Sequence, residues 1–280
     1  MKKLIAMLLA LVMIIGLVAC GNKTPDAPVV DDPVVDDKPV QDKPVEPAPS
    51  DEPTDEPTEP EHVTMSYAEF VAAPMDSEVH VDTYIQATES WWDGKIQLYT
   101  QNEEGAYYIY DVACTEEEAA LLVPGTHICV TGYKGEWSGE VEILDATYEI
   151  LEGSYIVEEA IDVTELAKQG NDALAEKMNH LVAINGMTVA PSTDAEGNEV
   201  AYLYKWDGSG SQGDDLYFNV AIGEQTYTFT VNVYMIGTGA DSDVYKAVEA
   251  LQVGDTINVE GFLYWYNGAQ PHVTSVTVAE

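Results

Sequence analysis

Gly125-Thr126-His127-Ile128-Cys129-Val130-Thr131-Gly132 recurs as Gly254-Asp255-Thr256-Ile257-Asn258-Val259-Glu260-Gly261. In each stretch a glycine opens a turn, isoleucine and valine alternate as the buried face of a strand, and a second glycine relieves a bend. Seven residues beyond that second glycine both copies carry another, in Trp137-Ser138-Gly139 and in Tyr266-Asn267-Gly268. Upstream, Trp92-Asp93-Gly94 matches Trp206-Asp207-Gly208, each just ahead of a strand-like run. Four features in the same order make an internal repeat, so the chain holds two copies of one small β unit.

Period-two alternation extends the reading outward. In the first copy it predicts strands near 79–88, 95–100, 106–112, 126–133 and 140–150. A helix begins at Thr115, with Glu118 completing a capping box, and ends before Pro124-Gly125. In the second copy the strands fall near 181–190, 215–222, 226–234, 255–264 and 270–278, with a helix near Asp241–Ala250. Its first connection is longer and contains Ala201-Tyr202-Leu203-Tyr204, a candidate extra strand. Each copy is preceded by a helix start, Ser66-x-x-Glu69 and Thr164-Glu165-Leu166. The expected fold is mainly β: two tandem five-stranded barrels with short helices, over 63–152 and 153–280, a β-sandwich being the alternative. Five strands with a helix before the fourth resemble the OB-fold, a partly open Greek-key barrel.

The N-terminal part has a different character. Lys2 and Lys3, an apolar run from Leu4 to Leu17, and Leu17-Val18-Ala19-Cys20-Gly21 resemble a bacterial lipoprotein signal, with residues 1–20 as the signal peptide. A plain secretory signal that ends near a cysteine is the alternative. The resemblance implies cleavage before Cys20 by signal peptidase II and lipidation of that cysteine. Several acyl chains together give stable anchoring. Residues 21–62 place a proline every few residues, fill the gaps with acids and contain no aromatic residue. Such a segment buries too little apolar surface to offset its ordering entropy, so a disordered Pro/acidic linker spanning on the order of 100 Å is expected. Signal, linker and barrels together resemble the tandem OB-like lipoproteins of Gram-positive anaerobes. That resemblance implies a lipid-anchored protein on the extracellular face of the bacterial membrane.

Charge bears on the partner. All eleven basic residues are lysines, and from Val63 onward 37 Asp and Glu face 6 Lys, a balance of −31. Nucleic-acid binders need a cationic footprint to displace counterions, so the composition predicts no nucleic-acid partner and no attraction to anionic headgroups. The negative field fits solubility or a cationic partner. Cys114 and Cys129 could pair in an exported protein, but alternation turns Cys129 away from the face of Ile128 and Val130, which favours two free thiols.

The resemblance to OB-folds implies ligand contact through strands two and three and through the one–two and four–five loops. On that plan Trp91 and Trp92 fall in the first loop of copy one, Tyr99 and Tyr108 on its strand face, and Trp137 in its four–five loop. Trp206, Trp265 and Tyr266 take the corresponding places in copy two. These rings either form a ligand platform or plug the barrel ends. As a platform beside carboxylates and amides they suit a neutral glycan or cell-envelope component. The alternative is an acidic surface that docks an exported protein or serves as a scaffold. The stretch from Asp207 to Asp215 offers oxygen ligands and glycines, yet Gln212 and Phe218 stand where a calcium loop needs glycine and glutamate. No metal is expected, with Asp207, Asp214 and Asp215 as weak candidates. No nucleophile elbow, phosphate loop or zinc-hydrolase motif occurs, and the five histidines are scattered, so neither an enzyme nor a cofactor is expected.

Overall fold

Alternation in the first copy is realised as β1 (Glu78–Thr88), β2 (Lys95–Gln101), β3 (Ala106–Ala113), β4 (Thr126–Trp137) and β5 (Glu140–Ser154). This computed structural model describes residues 63–279; the Leu4–Leu17 run, Cys20 and the Pro/acidic linker lie outside the described residues. β1 pairs antiparallel with β2 and β4, β2 with β3, and β4 with β5, while β3 runs parallel to β5. The sheet thus closes in the order β1-β2-β3-β5-β4.

The second copy adds β6 (Ile161–Asp162), β7 (Leu181–Ala190), β8 (Ser192–Thr193), β9 (Glu199–Val200), β10 (Leu203–Tyr204), β11 (Leu216–Ile222), β12 (Gln225–Val231), β13 (Thr256–Phe262) and β14 (His272–Val278). β7 pairs with β11 and β13, β11 with β12, β13 with β14, and β12 runs parallel to β14. That is the first barrel's connectivity repeated, with β10 as the extra strand in the long connection. The fold is mainly β, with two closed five-stranded barrels of OB-like topology.

The repeated glycines have the geometry their spacing implies. Gly125 and Gly254 both hold left-handed backbone, at φ +93° and +96°. A Cβ at Gly132 would lie 2.7 Å from the Leu144 carbonyl, and one at Gly261 would overlap the His272 carbonyl. Both sit where β4 or β13 crosses a register shift against its partner, and only hydrogen fits between the strands. The β4–β5 hairpin is longer than alternation suggested and turns through Ser138 and Gly139, both at positive φ.

Helices α1 (Tyr67–Ala72), α2 (Glu116–Ala119), α3 (Thr164–Ala167), α4 (Asn171–Leu174) and α5 (Asp243–Glu249) cover the barrel ends and connections. The capping boxes of Ser66 with Glu69 and Thr115 with Glu118 are both formed. α3 starts at Thr164, where the sequence put a helix start; its N-cap, Val163, makes no side-chain bond, and the Thr164 hydroxyl accepts from Asn185 N–H at 2.9 Å. Lys134 closes α1 from outside: its Nζ donates to the carbonyls of Phe70, Val71 and Ala73 at 2.8–3.0 Å.

Barrel one is filled by β-branched and aliphatic side chains such as Val81, Ile85, Leu98 and Ile128, barrel two by Phe218, Phe229, Tyr245 and Ile257. Each such burial is worth roughly 1.5–3 kcal/mol in transfer terms. A third cluster joins the barrels, with Tyr99, Tyr108, Met235 and Phe262 at its centre. Polar contacts tie the same joint: Gln101 Oε1 accepts from Leu181 N–H at 3.1 Å, and Glu140 Oε2 from Trp265 N–H at 2.7 Å. The equivalent turns of the two copies also meet, Asn267 N–H donating to the Ser138 carbonyl at 2.7 Å. The described residues therefore form one compact unit. Cys114 and Cys129 are buried free thiols.

Candidate functional site

Alternation sets the floor of the main cleft. Along β11, Leu216, Phe218 and Val220 point into barrel two, which leaves Tyr217 and Asn219 on the outer face. Along β12, Tyr227 and Phe229 point inward and leave Thr228 and Thr230 outside. These four outward residues floor a cleft of about 810 Å³. The β7–β11 connection supplies one wall through Ser192, Leu203 and Trp206, and the β13–β14 connection another through Tyr264, Tyr266 and Gln270. Barrel one supplies the roof: Glu89, Gln97 and Tyr108 from its β1–β3 face and Trp137 from the end of β4. The cleft thus lies on the face an OB-fold uses for ligands, strands two and three with both flanking loops, and the neighbouring barrel covers it. Its size is that of a small-molecule site.

The polar groups inside are held in place. Asn219 Oδ1 accepts from the Thr228 hydroxyl at 2.8 Å, and its amide donates to Ser192 Oγ at 3.1 Å. Glu89 Oε1 accepts from Asn232 Nδ2 at 2.7 Å, and the Asn232 Oδ1 accepts from Tyr234 N–H. Burial, with smaller contributions from the Asp215 and Asp111 charges, raises the Glu89 carboxyl to about 7 against the Asn232 hydrogen bond. Asp215 accepts from Val233 N–H, and burial raises its carboxyl as well. His272 lies 2.6 Å through Nδ1 from the Tyr99 hydroxyl, and burial lowers its imidazole to about 3, so it is neutral. Thr230 is 2% exposed, and its hydroxyl has no partner among the described residues.

Four of the eight aromatic residues singled out from the sequence meet here: Tyr108, Trp137, Trp206 and Tyr266. The other four do not. Tyr99 is fully buried, stacked on Phe262 at 4.7 Å in the joint between barrels, because the strand face that would bind a ligand in an isolated barrel is covered by its neighbour. Trp265 belongs to the core of barrel two. Trp91 packs on the core of barrel one and donates through Nε1 to the Cys114 carbonyl at 2.9 Å. Trp92 is 81% exposed and lines a separate, smaller depression with Asp93, Lys95 and Asp111. The aromatics therefore split between platform and plug.

Of the weak metal candidates, Asp207 and Asp214 are bound to their own loop, and Asp215 accepts from Val233 N–H. Asp207 accepts from Ser209 N–H and Oγ, Asp214 from Ser211 N–H, and no group of three or more His, Cys, Asp or Glu residues placed to hold a metal occurs among the described residues. The cleft residues that the aromatic map did not reach include the polar Glu89, Asn219, Thr230, Asn232 and His272, and also Leu203, Tyr217 and Tyr264. For Asn219 and Thr230 the signal was present, since both occupy outward positions of predicted strands. Glu89 and His272 come together only through packing of one barrel on the other.

No protein-family profile matches this chain, and neither does any curated protein. Solved structures do resemble it. A murine DNA-binding protein bound with double-stranded DNA aligns over 72% of this chain and 98% of its own, at 11% identity and a TM-score of 0.33. The HINb domain of p204 aligns over 74% of this chain and 100% of its own, at 10% identity and a TM-score of 0.32. A replication protein A heterotrimer bound to single-stranded DNA aligns over 74% of this chain and 50% of its own, at 8% identity and a TM-score of 0.28. Two expectations are corrected by these findings. Several of the similar structures are complexes with double-stranded DNA and none of those reported is described with a glycan, and with that finding the neutral-glycan reading and the protein-docking or scaffold reading are both withdrawn. The exclusion of nucleic acid as a partner, drawn from charge alone, is withdrawn with them. At this level of identity the likeness is one of fold, and what those domains bind stays with them.

Proposed function

We propose that the inter-barrel cleft is a binding site for a small organic molecule, in a non-catalytic receptor anchored through lipidated Cys20 on the extracellular face of a bacterial membrane. The observation that carries the reading is the cleft itself. An OB-type ligand face, already rich in aromatic and oriented polar groups, is flanked by a second barrel, which deepens an open groove into a half-open cleft of small-molecule size. The non-catalytic part is supported by the way the cleft's titratable groups are engaged. Glu89 is held by Asn232 and His272 by Tyr99, so neither is poised against a nucleophile. The anchor is supported by the lipobox-like run ending at Cys20.

Ligand-observed NMR with a small-fragment library on the full-length protein in detergent tests the binding part. Fragments that bind wild type and lose their signal in both Trp206→Ala and Tyr217→Ala are expected. A library without hits, or hits indifferent to both substitutions, would end the reading. Intact-mass analysis of membrane-fraction protein tests the anchor: acyl mass on the wild type and none on Cys20→Ala is expected, and an unmodified wild type would refute it.

A further inference from the structure

We propose that the ligand of this cleft is a small organic ammonium ion, recognised by the carboxylates of Glu89 and Asp215 and stacked against Trp137 and Trp206. The inference rests on the reading of the cleft as a small-molecule site and adds the chemical class.

Charge comes first. The cleft lining contains two carboxylates and no lysine, the chain has no arginine, and the one imidazole present, His272, is buried against Tyr99 and Tyr264. Glu89 is withdrawn from water to 9% exposure and Asp215 is half-buried, and neither forms an ion pair among the described residues. Only Oε1 of Glu89 has a hydrogen-bond partner, the neutral amide of Asn232. A buried anion left without a counter-charge is costly, and a cation entering the cleft removes that cost. The raised carboxyls of Glu89 and Asp215 have the same cause, since burial without a cation favours the protonated form.

The rings are the independent second observation. Trp137 and Trp206 come from different barrels and are 61% and 69% exposed, so their faces are not spent on a core. Exposed indole faces beside carboxylates attract ammonium groups through the ring quadrupole, and aromatic enclosures of this kind suit quaternary ammonium ions in particular. Below them the unpartnered Thr230 hydroxyl, itself 2% exposed, offers a hydrogen bond to a polar substituent of the ligand.

Isothermal titration of the full-length protein at pH 8 with choline and with its neutral carbon isostere, 3,3-dimethyl-1-butanol, decides the matter. Choline is expected to bind at least about tenfold tighter than the isostere. Glu89→Gln, which keeps an acceptor for Asn232, and Asp215→Asn are each expected to weaken choline about tenfold. Trp206→Ala weakens both probes, and the surface control Glu165→Gln changes nothing. Equal affinity for the two probes, both lost in Trp206→Ala, would overturn the cation inference while leaving the small-molecule cleft standing. Fragment binding in the cleft with no choline binding would do the same. Absence of choline and of every fragment would remove both readings. A DNA oligonucleotide that binds wild type but not Trp206→Ala, and that displaces choline, would also overturn the inference.

Discussion

Glu140→Gln should make the protein more resistant to alkaline pH. Glu140 opens β5 at the joint between the barrels and is completely buried. Its Oε2 accepts from Trp265 N–H at 2.7 Å, whereas its Oε1, like Asn179 Oδ1, has no partner among the described residues. Burial raises its carboxyl from an ordinary 4.5 to about 8, against the opposing help of the Trp265 hydrogen bond. The folded state thus holds this proton more tightly than the unfolded state, and stability falls as pH rises through the window from 4.5 to about 8, then levels off. At about 1.4 kcal/mol per pH unit across that window, the whole loss is on the order of 5 kcal/mol, and the part between pH 6 and pH 9 about 3 kcal/mol. Glutamine keeps the acceptor for Trp265, adds a neutral N–H₂ beside Asn179, and does not titrate. For a domain of this size, 3 kcal/mol corresponds to roughly 6–12 °C in melting temperature. Melting by circular dichroism at pH 6 and pH 9 should show the wild type losing that much more than the variant. Parallel pH profiles for the two proteins would refute the reasoning, as would a variant less stable than wild type at pH 9.

The remaining predictions follow from packing. Gly132→Ala and Gly261→Ala should each cost more than about 2 kcal/mol, because the new Cβ meets backbone of the paired strand, whereas Gly254→Ala, with open space around it, should cost only about 1 kcal/mol for its positive φ. Urea denaturation ranks the three, and equal costs would contradict the close-approach argument. Lys134→Met leaves three carbonyls of α1 without their donor and should cost about 1–3 kcal/mol, with amide exchange accelerated over residues 67–73 before the rest of the barrel. Unchanged exchange there would mean that α1 is held by Phe70 packing alone. Trp265→Ala should cost about 3–5 kcal/mol as a core truncation, while the exposed Trp137→Ala and Trp206→Ala leave melting nearly unchanged. Similar losses at all three would show that the cleft rings are structural plugs.

How much of the site was legible depends on which residues are considered. Trp206 and Tyr266 lie in the connections where the repeated glycine turns put them, whereas Trp137, read as a loop residue, ends β4 because the hairpin extends further than the alternation suggested. Asn219 and Thr230 could have been named too, since they are outward positions on strands whose register the alternation defines. Tyr99 shows the opposite case. Its outward position on β2 was readable, but that face is covered by Phe262 from the second barrel, 163 residues away in sequence. Trp265 and Tyr266 are adjacent, yet the first is core and the second half-exposed, a difference set by how the β13–β14 connection folds over barrel two.

The sequence by itself determined the local and repeating parts of this protein. Period-two alternation, two capping boxes and glycines at fixed offsets specify strands, turns and helix starts through interactions between near neighbours, and their recurrence specifies two barrels of one topology. The docking of one barrel on the other was decided only by tertiary structure. That docking buries Tyr99, Glu140 and His272, withdraws Glu89 from water and turns an open strand face into a cleft. None of these effects has a local signature, because each depends on surfaces from distant parts of the chain excluding water together. The charge of the chain was countable from its residues, whereas the few carboxylates that lost their solvent, and so acquired chemistry, were selected by the packing.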